Sequence, residues 1–215
     1  SFTGRGRLME RPLKPYEDLF REKGISWKLE KGVLTVNGGR GYDAPALSPG
    51  EYRLPGNVSS QFFTGLLFVL PLLEGDSTLV STTPLESRDY LELTRQAQSA
   101  AGVTSRWLGE NTLCVPGSQT YHPFEAAVEA DWSQAGFWYA ANFLDNQIRI
   151  LDMNSTSAQG DKVITELYWR LARPGDAEMD VSGCPDLLPP LAVMAAVRSG
   201  TTRFMNAARL RMKES

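Results

Sequence analysis

The stretch Asn57-Val58-Ser59-Ser60-Gln61 opens an apolar segment, Phe62–Leu73. Small polar residues ahead of an apolar run are typical of a helix N-terminus. Gly75-Asp76 follows as a turn, and the β-branched residues in Ser77–Thr82 predict a strand. We therefore expect the fold to be built from a unit made of a polar opening, an apolar helix, a turn and a strand.

The same order occurs twice more along the chain. The second copy opens at Asp131–Gln134 and continues with a helix over Ala135–Leu144 and a strand over Gln147–Leu151. The third copy opens at Cys184–Asp186 and continues with a helix over Leu187–Arg198 and a strand over Thr201–Asn206. A repeated supersecondary unit indicates a fold in which neighbouring copies bury a shared core. Because the chain starts and ends inside such units, we expect an incomplete array.

Further elements lie between these copies. More amphipathic helices are predicted over Ser87–Ala101 and Gly160–Leu171, and another helix over Arg11–Lys23. Ser26–Leu29 and Val33–Asn37 predict a hairpin. The predicted class is α+β, with repeated units of helices and mixed sheets.

The chain is predicted to divide into two domains near Ala130. Val128–Asp131 has the pattern of a strand that crosses from one unit into the next. We therefore assign residues 1–129 to part of a first domain. Residues 130–215 are assigned to part of a second domain, truncated at its C-terminal end.

Composition narrows the classes of partner. The net charge is −3, because Asp and Glu outnumber Lys and Arg, which disfavours nucleic acid. Two cysteines are too few for a disulfide framework, so a reducing compartment is expected. The run Phe62–Leu73 is shorter than the roughly 20 residues of a membrane-spanning helix. We expect a cytoplasmic protein without a membrane segment.

Ser59 and Ser60 begin a predicted helix, where unpaired N–H groups and a positive partial charge suit a phosphate. The alternative is an ordinary N-cap, for which one serine suffices. Ser87 has the same two interpretations, and there the pattern favours the cap. Asp186 is either a cap of the third apolar helix or, beside cations, a general base.

Two arginine-bearing segments have open interpretations. Arg11 belongs to a Glu-Arg-Pro turn and is either a solvated residue or a bidentate ligand of a carboxylate or phosphate. Arg209–Glu214 places three cations on one side and is either a solvated face or an anion clamp.

The remaining chemistry-bearing residues suggest little. His122 is the one histidine and is predicted at the surface, and Cys114 is predicted in the core of a strand. Cys184 is a candidate for an accessible thiol, but no base partner can be named for it. No metal-ligand spacing, nucleotide phosphate loop or Rossmann fingerprint is found, so no metal and no cofactor are expected.

Several of these segments together resemble the 5-enolpyruvylshikimate-3-phosphate synthase family. They are Leu54-Pro-Gly-Asn-Val-Ser-Ser-Gln-Phe62, Asp131-Trp-Ser-Gln-Ala135, Gln159-Gly-Asp161, Cys184-Pro-Asp-Leu-Leu188 and Asn206-Ala-Ala-Arg-Leu-Arg-Met-Lys-Glu-Ser215. Glu10-Arg11-Pro12 and Glu86-Ser87 fall in the expected order between them. The resemblance implies two domains of three repeated units each, an arrangement known as an inside-out α/β barrel, with the active site between the domains.

The resemblance also implies an activity, the transfer of the enolpyruvyl group of phosphoenolpyruvate to the 5-hydroxyl of shikimate 3-phosphate with release of phosphate. The implied catalytic residues are Asp186 as proton acceptor, Lys213 beside it and Glu214 as candidate proton donor. The implied substrate-binding residues are Ser59, Ser60 and Ser87 at the shikimate phosphate, Gln61 at both substrates, Arg11 at phosphoenolpyruvate, Tyr90 in the shikimate pocket, and Arg209. The complete enzyme is expected to be a monomer.

The sequence leaves three alternative functions. A fragment that binds shikimate 3-phosphate without turnover, or that is only structural, is the first. The enolpyruvyl transferase acting on UDP-N-acetylglucosamine ranks lower, because that family lacks Val-Ser-Ser-Gln. RNA-end processing on a related architecture is disfavoured by the acidic balance and by the absence of a histidine nucleophile.

Overall fold

The computed structural model describes residues 1–37, 47–208 and 210. The described chain divides into two units. The first unit contains Ser1–Glu86 and Thr94–Phe124, and the second contains Ser87–Leu93 and Glu125–Leu210.

The first unit begins with an antiparallel sheet and one helix. Its elements are β1 (Phe2–Thr3), α1 (Lys14–Glu22), β2 (Ser26–Glu30) and β3 (Val33–Asn37), with β3 pairing between β1 and β2. Lys31 and Gly32 join β2 to β3 with φ values of 49° and 75°. Two consecutive positive φ angles define a hairpin turn that matches strand twist. The predicted hairpin is confirmed.

Helix α1 begins three residues later than predicted. Arg11 precedes Pro12 and has an extended backbone, with ψ 144°. A proline ring clashes with a helical conformation in the residue before it. Pro15, whose missing N–H is harmless there, occupies the first turn instead.

The rest of the first unit contains a mixed sheet. Its elements follow as β4 (Glu51–Leu54), α2 (Gln61–Val69), β5 (Ser77–Ser81), the later part of α3 (Arg88–Ala100), β6 (Arg106–Trp107) and β7 (Thr112–Val115); the first turns of α3, up to Leu93, belong to the second unit. The strand order is β4-β5-β7-β6, in which β4 and β5 run parallel and the other pairs antiparallel. Tyr52 and Leu54 alternate into the core, as expected for a sheet covered on one face.

The second unit packs three helices and a parallel strand pair. These elements are α4 (Trp132–Phe143), α5 (Ile164–Ala172), β8 (Ala177–Asp180), α6 (Leu188–Val197) and β9 (Thr202–Met205). The buried stripe of α5 is Ile164, Leu167 and Leu171, which share one helix face. It packs in one apolar cluster with Met179 and Leu191.

Some apolar side chains of the second unit point outward. Phe137 and Trp138 on α4, and Val193 and Val197 on α6, are exposed. Within residues 1–37, 47–208 and 210, no helix has the length and apolarity to cross a bilayer.

Two predicted strands are wrong. Gln147–Leu151 forms no strand in the described chain, because its backbone bonds to a side chain instead of to a neighbouring strand. The Ile148 N–H donates to Asn142 Oδ1 at 2.7 Å, and Asn142 Nδ2 donates to the Ile148 carbonyl at 2.9 Å. Val128–Asp131 is also not a strand, and the Val128 residue is 98% exposed.

Candidate active site

The opening of α2 places Ser59, Ser60 and Gln61 together at the start of the helix. Ser60 occupies the N-cap position, but its hydroxyl makes no capping hydrogen bond. Ser59 Oγ instead accepts the Gln61 N–H at 3.3 Å. Only one of the two hydroxyls therefore serves the helix backbone, as an ordinary helix start requires, and the Ser60 hydroxyl is not used for capping.

A neighbouring loop holds this opening in place. The Gly56 and Asn57 N–H groups both donate to Thr83 Oγ1, at 2.9 and 3.1 Å. A side chain at position 56 would meet Ser81 Oγ, and its Cβ would lie 2.9 Å from Leu85 Cα. The absence of a side chain at Gly56 therefore lets the two loops approach closely.

Arg11 belongs to the first unit and is half-buried just before α1. Helix α1 is anchored on the first turn of α2, since Tyr16 Oη donates to the Phe62 carbonyl at 2.8 Å. Gly65 leaves room for that tyrosine, because a Cβ there would collide with Tyr16 Oη. The segment that carries Arg11 is thus tied to the helix that carries Ser60.

In the second unit, the structure brings Tyr90 and Asp186 into direct contact. Tyr90 Oη donates a hydrogen bond of 2.9 Å to Asp186 Oδ2. Ser87 lies one turn before Tyr90, and its carbonyl accepts the Tyr90 N–H at 3.2 Å. The Ser87 residue is buried and has a φ of 54°, a left-handed conformation uncommon for a residue other than glycine.

Asp186 is not a helix cap, which is a correction to the interpretation that the sequence favoured. It lies inside a short 3-10 turn, Pro185–Leu187, and the N-cap positions there are Cys184 and Leu187. The Asp186 carboxylate accepts a hydrogen bond from Tyr90 and does not occupy an N-cap position.

A buried carboxylate, Asp161, lies near this pair, and sequence analysis assigned no role to it. The Asp161 residue is 3% exposed, and Ser133 Oγ donates to its Oδ2. The Ser133 hydroxyl also lies close enough to Tyr90 to influence the pKa of the phenol. The one available signal was position, because Ser133 and Asp161 both lie in motifs that carried the family resemblance.

Two contacts fix the chain just before Asp161. Gly160 packs against Asp89, and a Cβ at position 160 would collide with Asp89 Oδ2. Asp89 is next to Tyr90 in the first turn of α3. Gln159 fixes the other side, because its Oε1 accepts the Trp132 N–H at 2.8 Å.

The electrostatics keep the Tyr90 phenol protonated. Burial, together with the Asp161 and Asp186 carboxylates, raises the pKa of Tyr90 well above its usual value. The nearby Ser133 hydroxyl lowers the Tyr90 pKa but does not reverse the shift. Tyr90 is therefore a hydrogen-bond donor at neutral pH.

The cysteines differ from the predictions. Cys184 is 4% exposed, and burial, with Asp161 and Asp180 nearby, raises the pKa of its thiol to about 12. It is therefore an inert core thiol and not an accessible one. Cys114 is only partly buried, because its neighbours Leu113 and Val115 face the core from β7. His122 is exposed, as predicted.

Three predicted site residues, Arg209, Lys213 and Glu214, lie outside the described residues. Within the part that the structure covers, no group of three or more His, Cys, Asp or Glu side chains is arranged to hold a metal ion.

Comparison with solved structures identifies the fold. The chain matches the EPSP synthase from Acinetobacter baumannii with a TM-score of 0.70 and 21% identity, over 99% of this chain and 52% of that one. It matches the enolpyruvyl transferase NikO from Streptomyces tendae with a TM-score of 0.62 and 15% identity, over 90% and 51%. The protein has an enolpyruvyl transferase fold, and the predicted α+β class is confirmed.

Sequence comparison narrows this class to one family. The family model for EPSP synthase (3-phosphoshikimate 1-carboxyvinyltransferase) matches residues 1–215. The 3-phosphoshikimate 1-carboxyvinyltransferase of Clostridium kluyveri is 40% identical over 232 residues, which cover 100% of this chain and 53% of the relative. That of Clostridium perfringens is 39% identical over 230 residues, with the same coverage.

The chain belongs to the EPSP synthase family, so the resemblance inferred from its motifs is confirmed. It spans about half the length of the curated relatives that it matches.

Proposed function

We propose that this chain contributes to an enolpyruvyl transferase, which moves the enolpyruvyl group of phosphoenolpyruvate onto the 5-hydroxyl of shikimate 3-phosphate. The observation that carries the proposal is the hydrogen bond from Tyr90 to Asp186, because it supports a carboxylate held for chemistry and not for helix capping. The family assignment supports the same reaction, since the relatives bear the name of that transferase.

The reaction requires an acid and a base. The 5-hydroxyl loses a proton as its oxygen bonds to C2 of phosphoenolpyruvate, and the methylene gains a proton to become a methyl group. The methyl then returns a proton, and phosphate leaves with the electrons of its C–O bond. Asp186 accepts the hydroxyl proton, and Glu214 is the candidate donor to the methylene.

The shikimate phosphate is assigned to hydroxyl groups at helix openings. Ser59 and Ser60 would donate to it at the start of α2, where N–H groups and the helix dipole favour an anion. Ser87 would add a third hydroxyl from the start of α3. Support comes from the Ser60 hydroxyl, which makes no capping hydrogen bond.

The other substrate contacts rest on the family resemblance. Gln61 would reach both substrates, and Tyr90 would line the shikimate pocket. Arg11 would bind phosphoenolpyruvate, and Lys213 and Arg209 would contact the shikimate phosphate or hydroxyls. A guanidinium can hold a carboxylate or phosphate through two parallel bonds, which suits Arg11 to this role.

Domain organisation and setting complete the proposal. Residues 1–129 belong to the domain that binds the shikimate phosphate, and residues 130–215 belong to the second domain. The division of the chain after Phe124 supports a boundary in this region.

We further propose a cytoplasmic, monomeric protein that binds neither membranes nor nucleic acid. The net charge of −3 supports the absence of nucleic-acid binding. Gel filtration and cell fractionation test these assignments.

Titration calorimetry with shikimate 3-phosphate, with and without phosphoenolpyruvate, tests the proposed function. We expect micromolar binding of the first ligand and a change in its affinity when the second is present. Phosphate release in the same mixtures measures turnover. Ser99→Ala, at an exposed position on α3, is the control variant and is expected to bind unchanged.

Each other outcome has a definite meaning. Binding without phosphate release would support the non-catalytic alternative for this chain. A folded chain that binds neither ligand would overturn the substrate assignments and leave the chain a structural part of the fold.

A further inference from the structure

The parallel strands of the second unit end beside a carboxylate to which the proposed reaction gives no role. Strand β8 ends at Asp180, which pairs in register with Met205 at the end of β9, and Asn206 follows β9. Asn206 Nδ2 donates to Asp180 Oδ2 at 2.8 Å, and the Ser182 N–H donates to Asp180 Oδ1 at 2.8 Å. One carboxylate therefore accepts hydrogen bonds from two different chain segments.

The first of these segments leads to Asp186. The hydrogen bond of the Ser182 N–H closes a turn directly after β8. In the next turn the Cys184 N–H donates to the Val181 carbonyl at 3.3 Å. The Leu187 N–H then donates to the Cys184 carbonyl at 3.1 Å, and Asp186 lies within this last turn. A continuous series of turns thus connects the end of β8 to the proposed base.

The second segment leaves β9 at Asn206. The backbone of Asn206 is left-handed, with a φ of 57°, a conformation that asparagine tolerates better than most residues other than glycine. In the sequence this segment continues to Arg209, Lys213 and Glu214, to which the proposed function assigns substrate contacts and proton transfer. The hydrogen bond from its amide to Asp180 holds the Asn206 side chain at the point where the segment begins.

The strand pair itself does not need this carboxylate, because the first unit has the same plan without it. Strands β4 and β5 are also parallel and are joined through an apolar helix. Counted from the Pro-Gly turn before each first strand, Pro55 stands in the place of Asp180, and Ser81 stands in the place of Asn206. Proline has no side-chain acceptor, and Ser81 Oγ donates to the Thr83 carbonyl at 2.7 Å. The carboxylate therefore belongs to the copy that carries the proposed base.

We propose that Asp180 is a positioning residue, whose carboxylate joins the segment that carries Asp186 to the segment that leaves β9 at Asn206. This inference deepens the proposed function and rests on it for the catalytic role of Asp186. Hydrogen bonds from Ser182 and Asn206 lower the pKa of Asp180, so the carboxylate is charged at neutral pH. A charged acceptor makes stronger hydrogen bonds than a neutral one, which suits it to hold both segments.

Three variants test this link. Asp180→Ala removes the carboxylate from both segments, and Asn206→Ala removes the second segment alone without a change of charge. Asp180→Asn combined with Asn206→Asp exchanges the two side chains, so that an amide at position 180 can donate to a carboxylate at position 206 and still accept the Ser182 N–H. Asp180 and Asn206 are both exposed, so the variants are expected to fold.

The first measurement needs no substrate. The carboxyl carbon resonance of Asp186 in a ¹³C NMR spectrum, identified by its loss in Asp186→Asn, reports the surroundings of that side chain. We expect the resonance to be displaced in Asp180→Ala and in Asn206→Ala, and to return in the exchanged pair. Adding Asn206→Ala to Asp180→Ala should displace it no further, because the link is already broken.

The second measurement is the rate of phosphate release. We expect kcat to fall about tenfold in Asp180→Ala, because a small misplacement of a reacting group is costly. The KM for shikimate 3-phosphate should change less than kcat, since Asp186 acts in proton transfer. The exchanged pair should recover kcat to within about twofold of the unchanged chain.

A matched control lies at the opposite end of the same strand pair. Asp176 Oδ1 accepts the Thr201 N–H at 2.8 Å, directly before β8 and β9 begin. Asp176→Ala removes an exposed carboxylate and one hydrogen bond between the two segments there. It should leave the Asp186 resonance and kcat unchanged. If Asp180→Ala does not fold, Asn206→Ala still tests the link, because it keeps the Ser182 turn.

An Asp186 resonance that is unchanged in Asn206→Ala, or that the exchanged pair does not restore, overturns the proposal. A displaced resonance with unchanged kcat overturns it as well, because the link would then have no catalytic consequence. Phosphate release by the unchanged chain separates these results from the proposed function. Absent release with a reversible displacement would remove the proposed function and leave the link between the segments. Normal release without displacement would remove Asp180 as a positioning residue and leave the proposed function.

Discussion

Two regions of the molecule share a framework and differ at one functional position. Pro49–Ser81 and Pro174–Asn206 align without a gap, and each contains a strand, a helix and a parallel strand. The turn before the first strand is Pro-Gly in both, and the turn after the helix contains Gly75 in one and Gly200 in the other. The same backbone plan therefore occurs once in each unit.

The openings of the two helices carry opposite chemistry. Before α2 the residues are Ser59, Ser60 and Gln61, which offer neutral donors. In the aligned positions before α6 stand Cys184, Pro185 and Asp186, which offer a carboxylate and a buried thiol. A helix N-terminus favours an anion in both cases, so one opening is suited to an anionic ligand and the other supplies its own anion. The repeated fold thus provides the position, and the side chains decide the chemistry.

The largest expected effect concerns the carboxylate of the α6 opening. Asp186→Asn should lower turnover by about 10²–10⁴-fold, the usual contribution of a general base. It should weaken binding of shikimate 3-phosphate far less, since the amide keeps the shape of the carboxylate. Phosphate-release kinetics and calorimetry measure the two quantities. Equal losses in both would mean that Asp186 is only a ligand.

The next effect tests whether the two openings can exchange residues. Gly56 aligns with Val181, which is buried at 1% exposure. Gly56→Ala should lower the free energy of unfolding by about 1–3 kcal/mol, because the new Cβ would lie 2.9 Å from Leu85 Cα. Chemical denaturation measures the loss.

A glycine in open space provides the control for that substitution. Gly109→Ala, with no atom within 4 Å of the added Cβ, should change stability by less than about 0.5 kcal/mol. Similar losses at both positions would show that the α2 opening has no special steric requirement.

A smaller effect is expected at the hydroxyls of the α2 opening. Ser60→Ala should weaken binding of shikimate 3-phosphate at least tenfold, about 1.4 kcal/mol, and Lys213→Ala should do the same. Calorimetry against Ser99→Ala measures the change. Unchanged affinity in both variants would remove the phosphate assignment and with it the proposed contrast between the openings.

The smallest effect concerns pH. The pKa of Asp180 is lowered by hydrogen bonds from the side chain and the backbone N–H of Ser182 and from the side chain of Asn206. The aligned residue in the other region is Pro55, which does not titrate. A lowered pKa means that the stabilisation is present above the unfolded-state value of about 3.9 and is lost as the pH falls through the folded-state pKa. The free energy of unfolding should therefore fall in this acidic range.

Asp180→Asn should remove that part of the pH dependence, and denaturation from about pH 7 to about pH 3 measures it. Asp152→Asn, at an exposed position of the same unit, is the matched control. An unchanged acid limb in Asp180→Asn would show that these hydrogen bonds do not stabilise the folded state.

Patterns of local sequence predicted much of the fold. The apolar runs after Gln61 and Asp186 form helices, and the β-branched stretches after Gly75 and Gly200 form strands. These predictions succeed because a helix opening or a turn glycine determines the conformation of only the few residues around it. Gln147–Leu151 failed because an alternating pattern cannot reveal that Asn142 occupies the backbone groups of Ile148.

The candidate site was less accessible to sequence. Motif similarity predicted site roles for Asp186 and Tyr90, whereas local pattern favoured Asp186 as a cap. The contact between Ser133 and Asp161 could not be predicted, because a hydrogen bond between residues so far apart in the chain depends on packing. The burial of Cys184 was missed for the same reason, since a polar opening usually indicates exposure.

The left-handed backbone of Ser87 has a consequence for how this protein can change over generations. Glycine adopts a φ of 54° with less strain than serine, so selection for heat resistance alone would tolerate glycine at position 87. If the hydroxyl holds a phosphate, selection for activity would keep the serine. If a library of variants were propagated under each kind of selection, the residue found at position 87 would show whether stability or activity had been selected.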